Sequence, residues 1–442
     1  MPRGPRNADG RPVAPVLAAG AALEELPAPD CPPRRVRILG EDLIGFRTTS
    51  GDVGLVQNAC PHRGASLFFG RNEEEGLRCV YHGWKFDTSG ACLDMPSEPA
   101  ESNFRSKVRA RAYPCVERGS VVWTYMGPRE TPPPLPAIEA NMLPEGQYTV
   151  NVLMRECNWV QALEGDLDTV HVAFLHGGHL RLEQARPGTM GYYGLRERAA
   201  RFALKDTEYG VTYGAYRSAE ADSYYWRVAH FLFPFWSMVP TGVLGVQKIA
   251  RAWVPMDDSH TIFFHFSDPA SRGGEQTAGG AAATAEEAQA RRRAAAQMTA
   301  GAMAEALPNT SDWFGRYRNA ANPSNDYLID REAQAASRSF TGLGNITTED
   351  QAVTESMGAI YTRGREHLGV SDSMIIRMRR RLINAAKELR ENGVLPPAVD
   401  QPDAYAQRSG GVVLPRSADW WEATTQLRRA FVDNPRITAA TR

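Results

Sequence analysis

The sequence predicts an α+β chain made of two antiparallel β units, the second larger and flanked by helices. Three observations carry this reading. Short alternating or β-branched runs fill residues 35–130 and return in 201–266, the proline-rich stretch Glu130 to Pro136 separates the two sets, and helical periodicity is confined to a few segments of the second half. At 442 residues and 43% apolar side chains, the chain has material for two or three domains with sizeable cores.

Residues 1–34 are rich in Ala, Pro and Gly, and are expected to form an arm with a short helix near Val16 to Leu26. From Arg35 the texture becomes β-like: Arg35 to Gly40 alternates, Leu43 to Phe46 is apolar, and Gly54 to Gln57, Lys85 to Asp87 and Val121 to Tyr125 are short strand-like runs. Residues 35–130 therefore read as a small antiparallel domain. The proline-rich connector cannot lie inside a helix or a central strand, so a second domain over residues 137–400 follows it. That domain opens with a strand near Tyr148 to Met154 and continues with helical spacing over Cys157 to His176. Strands are expected around Tyr209 to Tyr213, Tyr224 to Phe231, Gly245 to Val254 and Thr261 to Phe266. Residues 270–284 are low in complexity and read as a flexible loop, Glu286 to Ala304 as a helix, and residues 401–442 as a tail. In Asp372 to Asn392, Ile375, Met378, Leu382, Ala386 and Leu389 recur at helical spacing, with Gly393 as the stop, while Arg377 and Arg379 to Arg381 read as a solvated or interface face rather than a binding patch.

The 50 basic and 51 acidic side chains leave a formal net charge of −1, which argues against nucleic acid or an anionic membrane as a partner. There is no apolar run of membrane-spanning length, and the first ten residues are polar rather than leader-like, so a cytoplasmic location is expected. Six cysteines are too few for a disulfide framework, and Cys31, Cys92, Cys115 and Cys157 read as ordinary reduced thiols.

Two constellations carry chemistry. Cys60-Pro-His62-Arg-Gly is followed, after sixteen residues counted from His62, by Cys79-Val-Tyr-His82-Gly-Trp, which supplies two thiolates and two imidazoles. Zinc takes the same donor set, but zinc fingers group a Cys pair and then a His pair. Here each Cys has its own His, which suits a Rieske [2Fe–2S] centre with both thiolates on one iron and both imidazoles on the other. Further along, His171 and His176 lie five apart, with Asp168 three before the first. If the helix runs through His171 and then loosens, both imidazoles converge on one ion, and a carboxylate would complete the 2-His-1-carboxylate triad of non-haem iron oxygenases. Glu349 and Asp350, just before a helix start, are the candidates for that carboxylate.

These motifs, together with Asn158-Trp-x-Gln-x-x-Glu164 and Met374-Ile-Ile-Arg, resemble the α-subunit of Rieske non-haem iron ring-hydroxylating oxygenases, in the branch that holds phthalate dioxygenase and oxidative O-demethylases. The resemblance spans roughly residues 35–400, although residues 1–34 lack the Trp-Pro helix with which that family opens. It implies a Rieske domain followed by a helix-grip (START-like) catalytic domain. Cys60, His62, Cys79 and His82 would hold the cluster, His171, His176 and Asp350 the mononuclear Fe(II), and NAD(P)H would supply electrons through a separate flavin/iron–sulfur reductase. It further implies a homotrimer or stacked hexamer, in which Asp168 bridges His82 of one subunit to His171 of the next. Arg217 and Arg227 fall where carboxylate-binding arginines lie in phthalate-type enzymes, so O2 and an aromatic carboxylate are the expected substrates. Phe174, Tyr225, Trp226, Phe231, Phe233, Phe235 and Trp236 are candidates for an aromatic lining. O-demethylation of a methoxyarene on the same iron is the alternative, and a Rieske ferredoxin acting purely as an electron carrier is a remote one.

Overall fold

A computed structural model describes residues 17–99, 101–178, 180–185, 187–274 and 305–432. The helix expected over Glu286 to Ala304 and most of the 270–284 loop lie outside these residues.

Among the described residues, the N-terminal unit contains short strands β1 (Leu17–Ala22), β2 (Arg34–Ile38), β3 (Glu41–Arg47), β4 (Val53–Gln57), β5 (Arg71–Glu73), β6 (Gly76–Arg78), β7 (Lys85–Phe86), β8 (Cys92–Asp94), β9 (Ala112–Tyr113), β10 (Cys115–Arg118) and β11 (Val121–Tyr125). They form antiparallel sheets in the orders β1-β11-β10, β2-β3-β4-β9 and β5-β6-β7-β8. Ile44, Phe46, Val56, Leu67, Leu77, Trp84 and Phe86 make one core beneath the two Cys–His loops. The helix expected near Val16 to Leu26 is instead β1, which pairs with β11 from Leu17↔Tyr125 to Ala22↔Val121, and only Leu23–Glu25 turn as a short 3-10 helix. The edge of β11 offers unpaired backbone groups to this segment, and sheet pairing overrides its alanine-rich helix propensity.

The second unit is built on β12 (Thr149–Arg155), β13 (Arg201–Thr207), β14 (Gly210–Ser218), β15 (Ser223–Leu232), β16 (Trp236–Met238), β17 (Ile249–Pro255), β18 (Thr261–Ser267) and β19 (Gly410–Pro415). Its antiparallel sheet runs β12-β18-β17-β16-β15-β14-β13, with β19 pairing β15. Residues 401–432 are therefore not a tail, because they return a strand to the main sheet. Glycine makes that return possible: a Cβ on Gly411 would lie 2.3 Å from the Tyr225 hydroxyl, and one on Gly410 would lie 2.4 Å from Leu244 N.

Helices α1 (Trp159–Leu167), α2 (Met190–Arg196), α3 (Arg331–Ala335), α4 (Ile346–Ser356), α5 (Ser373–Asn392) and α6 (Trp420–Ala423) accompany the sheet. In α5, Met374 and Met378 are buried against α1 and the sheet, and Gly393 closes the helix in the left-handed region at φ 70°. The basic row of this helix is not simply solvated. Arg377 meets Asp206, Arg381 donates to the carbonyls of Thr207 and Gly210, and Arg379 forks between Glu164 of α1 and Glu366. Packing α5 across the β13–β14 edge brings that row over backbone carbonyls and acids which its spacing alone does not reveal.

Candidate functional site

Both Cys–His loops close by one backbone scheme. Cys60 N donates to Ala65 O at 2.8 Å and Gly64 N to Cys60 O at 2.9 Å, while Cys79 N donates to Trp84 O at 2.8 Å and Gly83 N to Cys79 O at 2.9 Å. The turn needs a left-handed residue four places after each Cys, and Gly64 (φ 77°) and Gly83 (φ 81°) provide it. This brings Cys60, His62, Cys79 and His82 to one tip: the two imidazoles meet edge-on with centroids 4.4 Å apart, and His62 stacks on Trp84 at 4.2 Å. Arg78 braces the second loop, donating to Gly83 O at 2.7 Å and to Asp94 at 2.6 Å.

The donors fit a metal group. Both thiols are buried, and His62 Nδ1 is buried with no partner among the described residues, a costly arrangement for a polar atom unless a ligand satisfies it. Burial pushes the Cys60 thiol up to about 11, so the thiolate becomes the stable form only beside a bound cation. Among the described residues, the one set of three or more donors lying within 4.8 Å of one another is His171, His176 and Asp350.

The second constellation follows α1. Asn158 caps the start of that helix, and the helix ends at Leu167 rather than running through His171; Asp168 is its extended C-terminal cap, and His171 opens a separate 3-10 turn. Asp168 Oδ1 accepts from Val170 N at 2.7 Å, and this competing local bond takes the place of the next helical turn. Asn345 caps α4, whose first turns present Glu349 and Asp350 on neighbouring faces. The result is an ordered ring of contacts. His171 Nδ1 lies 3.3 Å from Asp168 Oδ2 and its Nε2 3.7 Å from Asp350 Oδ1, while His176 Nδ1 lies 2.7 Å from Glu349 Oε2 and its Nε2 3.1 Å from Asp350 Oδ1. Each imidazole is thus held at Nδ1 by its own carboxylate, leaving both Nε2 atoms facing Asp350, the arrangement that fixes the tautomer of a metal-binding histidine. Glu349 is turned to the far side of His176 and also accepts from Thr341 at 2.6 Å.

The electrostatics agree with a cation site. Burial opposes protonation of His176, but hydrogen bonds to Asp350 and Glu349 outweigh it and lift the imidazole to about 9. Burial also works against ionising Asp168 and Asp350, yet His171 holds the first, and His176 the second, below the usual carboxylate range.

A cavity of about 260 Å³ adjoins this trio, with Val172, Met190, Leu195, Val239 and Ile346 on its apolar side. Strand register explains its polar side. In β14, Tyr213 and Arg217 point the same way, and the pairings Ala215↔Arg227, Phe231↔Ser237 and Ser237↔Arg251 put Arg227, Ser237 and Arg251 on that face too. Arg217 is buried, spends Nε on Glu197 O at 2.8 Å, and has no protein acceptor at its terminal nitrogens among the described residues. Burial and the charge of Arg227 lower it to about 10, so it stays cationic at neutral pH. Arg227 is committed to protein at both terminal nitrogens, through Thr169 and Pro240 O. Asp166, Tyr213 and Arg251 also line the cavity and escaped the sequence reading. Strand alternation alone could have grouped Tyr213 with Arg217. Asp166 is held by Ser237 and Trp253 Nε1 at 2.6 Å each, and pairs with Arg251.

The expected aromatic lining is not in this cavity. Phe231, Phe233, Phe235 and Trp236 are buried in the sheet cores, Tyr225 stacks on Tyr193, Trp226 stacks on Trp420, and Phe174 is exposed. Alternation turns Trp226 and Val228, the neighbours of Arg227 along β15, to the other face of the sheet.

Two family models match the chain: the Rieske [2Fe-2S] domain over residues 19–114 and the "LigXa C-terminal domain like" model over residues 124–435. The chain is 43% identical to the 3-chlorobenzoate-3,4-dioxygenase oxygenase subunit of Comamonas testosteroni, covering 90% of each chain. It is 35% identical to the phthalate 4,5-dioxygenase oxygenase subunit of Pseudomonas putida, covering 82% of this chain and 79% of that one. Among solved structures, dicamba monooxygenase shares the fold with a TM-score of 0.54 at 17% identity, covering 84% of this chain and 96% of that one.

Proposed function

This chain belongs to the Rieske non-haem iron ring-hydroxylating oxygenase α-subunits, and from that premise we propose that it hydroxylates an aromatic carboxylate of the benzoate or phthalate class. It is the oxygenase component of a two-component system, carries a Rieske cluster and a mononuclear iron, and takes its electrons from a separate reductase. In the proposed assignment Cys60 and Cys79 hold one cluster iron, His62 and His82 the other, and His171, His176 and Asp350 the mononuclear iron. When bound, these groups supply single-electron transfer and activation of O2. The protein's own part is to orient and to exclude water. Asp168 and Glu349 hold the two imidazoles by Nδ1, the apolar wall keeps the cavity dry, and the guanidinium of Arg217 fixes the substrate carboxylate.

The observation that carries the substrate reading is Arg217, a buried cation without a protein acceptor at its terminal nitrogens among the described residues, on the wall of the cavity that adjoins the three metal donors. The names of the two relatives, a chlorobenzoate and a phthalate dioxygenase, agree with it. The assembly is proposed as a homotrimer or stacked hexamer in which Asp168 also meets His82 of a neighbouring chain. In support, the Asp168 side chain keeps 29% exposure while bonded to His171. The cytoplasm, which supplies NAD(P)H and keeps free thiols reduced, is the proposed location.

The test is turnover with a generic reductase on benzoates, phthalates, methoxyarenes and the methyl esters of the acids. Free acids yielding diols, esters failing, and a roughly 10- to 100-fold rise in KM with Arg217→Met are expected for a lost charge-assisted pair. Demethylated phenols as the main product would instead identify an O-demethylase.

A further inference from the structure

We propose that Arg227 is a positioning residue for the Asp168–His171 turn and not a ligand for the substrate, an inference that rests on the roles given above to Asp168 and His171. Arg227 stands on β15, 5% exposed, on the sheet face beneath the metal donors. Its Nη1 donates to the carbonyl oxygen of Thr169 at 3.2 Å and, more closely, to the hydroxyl of the same residue, while Nη2 donates to Pro240 O at 3.3 Å. Thr169 is 1% exposed and sits directly after Asp168. It falls in the gap between the end of α1 at Leu167 and the 3-10 turn at His171, where a buried carbonyl has no helical donor of its own.

Gripping the carbonyl and the hydroxyl of one residue fixes both the position of the turn and its rotation about the chain. Pro240 O, just beyond β16, ties the same guanidinium back to the sheet. Through Thr169 the grip reaches the two contacts that orient the site, Val170 N on Asp168 Oδ1 at 2.7 Å and His171 Nδ1 beside Asp168 Oδ2 at 3.3 Å. What remains of Arg227 cannot receive a carboxylate bidentately: both terminal nitrogens are engaged and Nε is enclosed without a partner. Arg217, on the paired strand β14, has no acceptor at its terminal nitrogens among the described residues, which leaves them to a ligand.

The test compares Arg227→Met, Arg227→Lys and Thr169→Val in the iron-loaded enzyme with its reductase, using benzoate as the probe. Three readouts are taken: the split of kcat against KM, the iron content, and the rate at which the visible absorbance of the pre-reduced cluster returns on mixing with O2 and benzoate. Loss of the grip should lower kcat and slow cluster reoxidation together, by about 10- to 100-fold, with KM changed less than about twofold and the cluster spectrum unaltered. Thr169→Val, which removes only the hydroxyl, should move the same way by a smaller factor, and Arg227→Lys should recover part of the loss. A KM rise of about tenfold or more at constant kcat in Arg227→Met would make Arg227 a substrate ligand and overturn the proposal, as would wild-type behaviour of both Arg227→Met and Thr169→Val. Asp168→Asn, run in parallel, separates the two levels: full turnover in that variant sinks the underlying role of Asp168, whatever Arg227 does.

Discussion

Glu349 and Asp350 are adjacent in sequence and of like chemistry, yet they face opposite ends of one imidazole: Glu349 meets Nδ1 of His176 and Asp350 meets Nε2. Their substitutions should therefore differ in kind. Asp350→Asn removes the charge that both Nε2 atoms face, and metal analysis should find a loss of about one iron per chain with the cluster's visible spectrum intact. Glu349→Gln should keep the metal but weaken its retention by about 10- to 100-fold, read as faster loss to a chelator. Equal metal retention in the two variants would show that the carboxylates are not divided in this way. The sequence left the pair open because it specifies only their order along α4, whereas the rotation of roughly 100° between successive helical residues decides which one reaches which nitrogen.

At the scale of elements, α1 leads into the turn that carries His171 and is held from two sides. Gln161 donates to the carbonyls of Thr354 and Gly358, and Glu164 is gripped by Arg379 and Arg363. Arg379 and Glu164 are mostly buried, at 17% and 11% side-chain exposure, so removing Arg379 leaves the Glu164 charge with Arg363 as its remaining partner and deprives Glu366 of its closest one. Arg379→Met should cost on the order of 2–4 kcal/mol, seen as a lower thermal midpoint, and the double variant Arg379→Met with Glu164→Gln should recover part of that loss. An unchanged midpoint in the single variant would mean that the network contributes nothing to holding α1. The periodicity of α5 announced its apolar stripe, but the acids that Arg377 and Arg379 meet on β13 and α1 come from elements more than a hundred residues away in sequence.

At the scale of the whole molecule, the N-terminal unit and the main sheet meet where Arg37 of β2 donates to Asp257 Oδ2 at 3.0 Å, beside His260 stacked on Phe314. Burial opposes ionisation of Asp257, but bonds from Ser259 N, His260 and Arg37 hold it down at about 2. Because this lies below the ordinary value of 3.8, the contact stabilises the fold fully above about pH 4, and that contribution is lost as the pH falls toward 2. Asp257→Asn should therefore lower the unfolding midpoint at pH 7, and the gap from wild type should narrow between about pH 4 and pH 2. A gap that stays constant across that range would exclude ionised Asp257 as its source.

The sequence by itself determined the Cys60, His62, Cys79 and His82 set, the His171 and His176 pair and the division into two β units, since these rest on particular residue types at short spacing and on strand pattern, which are local properties of the chain. It also determined the α5 stripe and its glycine stop. What only the tertiary structure decided were the pairings made across long separations: β1 on the edge of β11, β19 returned to β15, Glu349 apart from Asp350, and two arginines of one sheet face divided between an open cavity and the Thr169 turn. The physical reason is the same in each case. A lone strand edge, a buried carbonyl or a charged side chain takes whichever partner the packed fold brings within hydrogen-bond reach, and that partner is not encoded nearby in the chain.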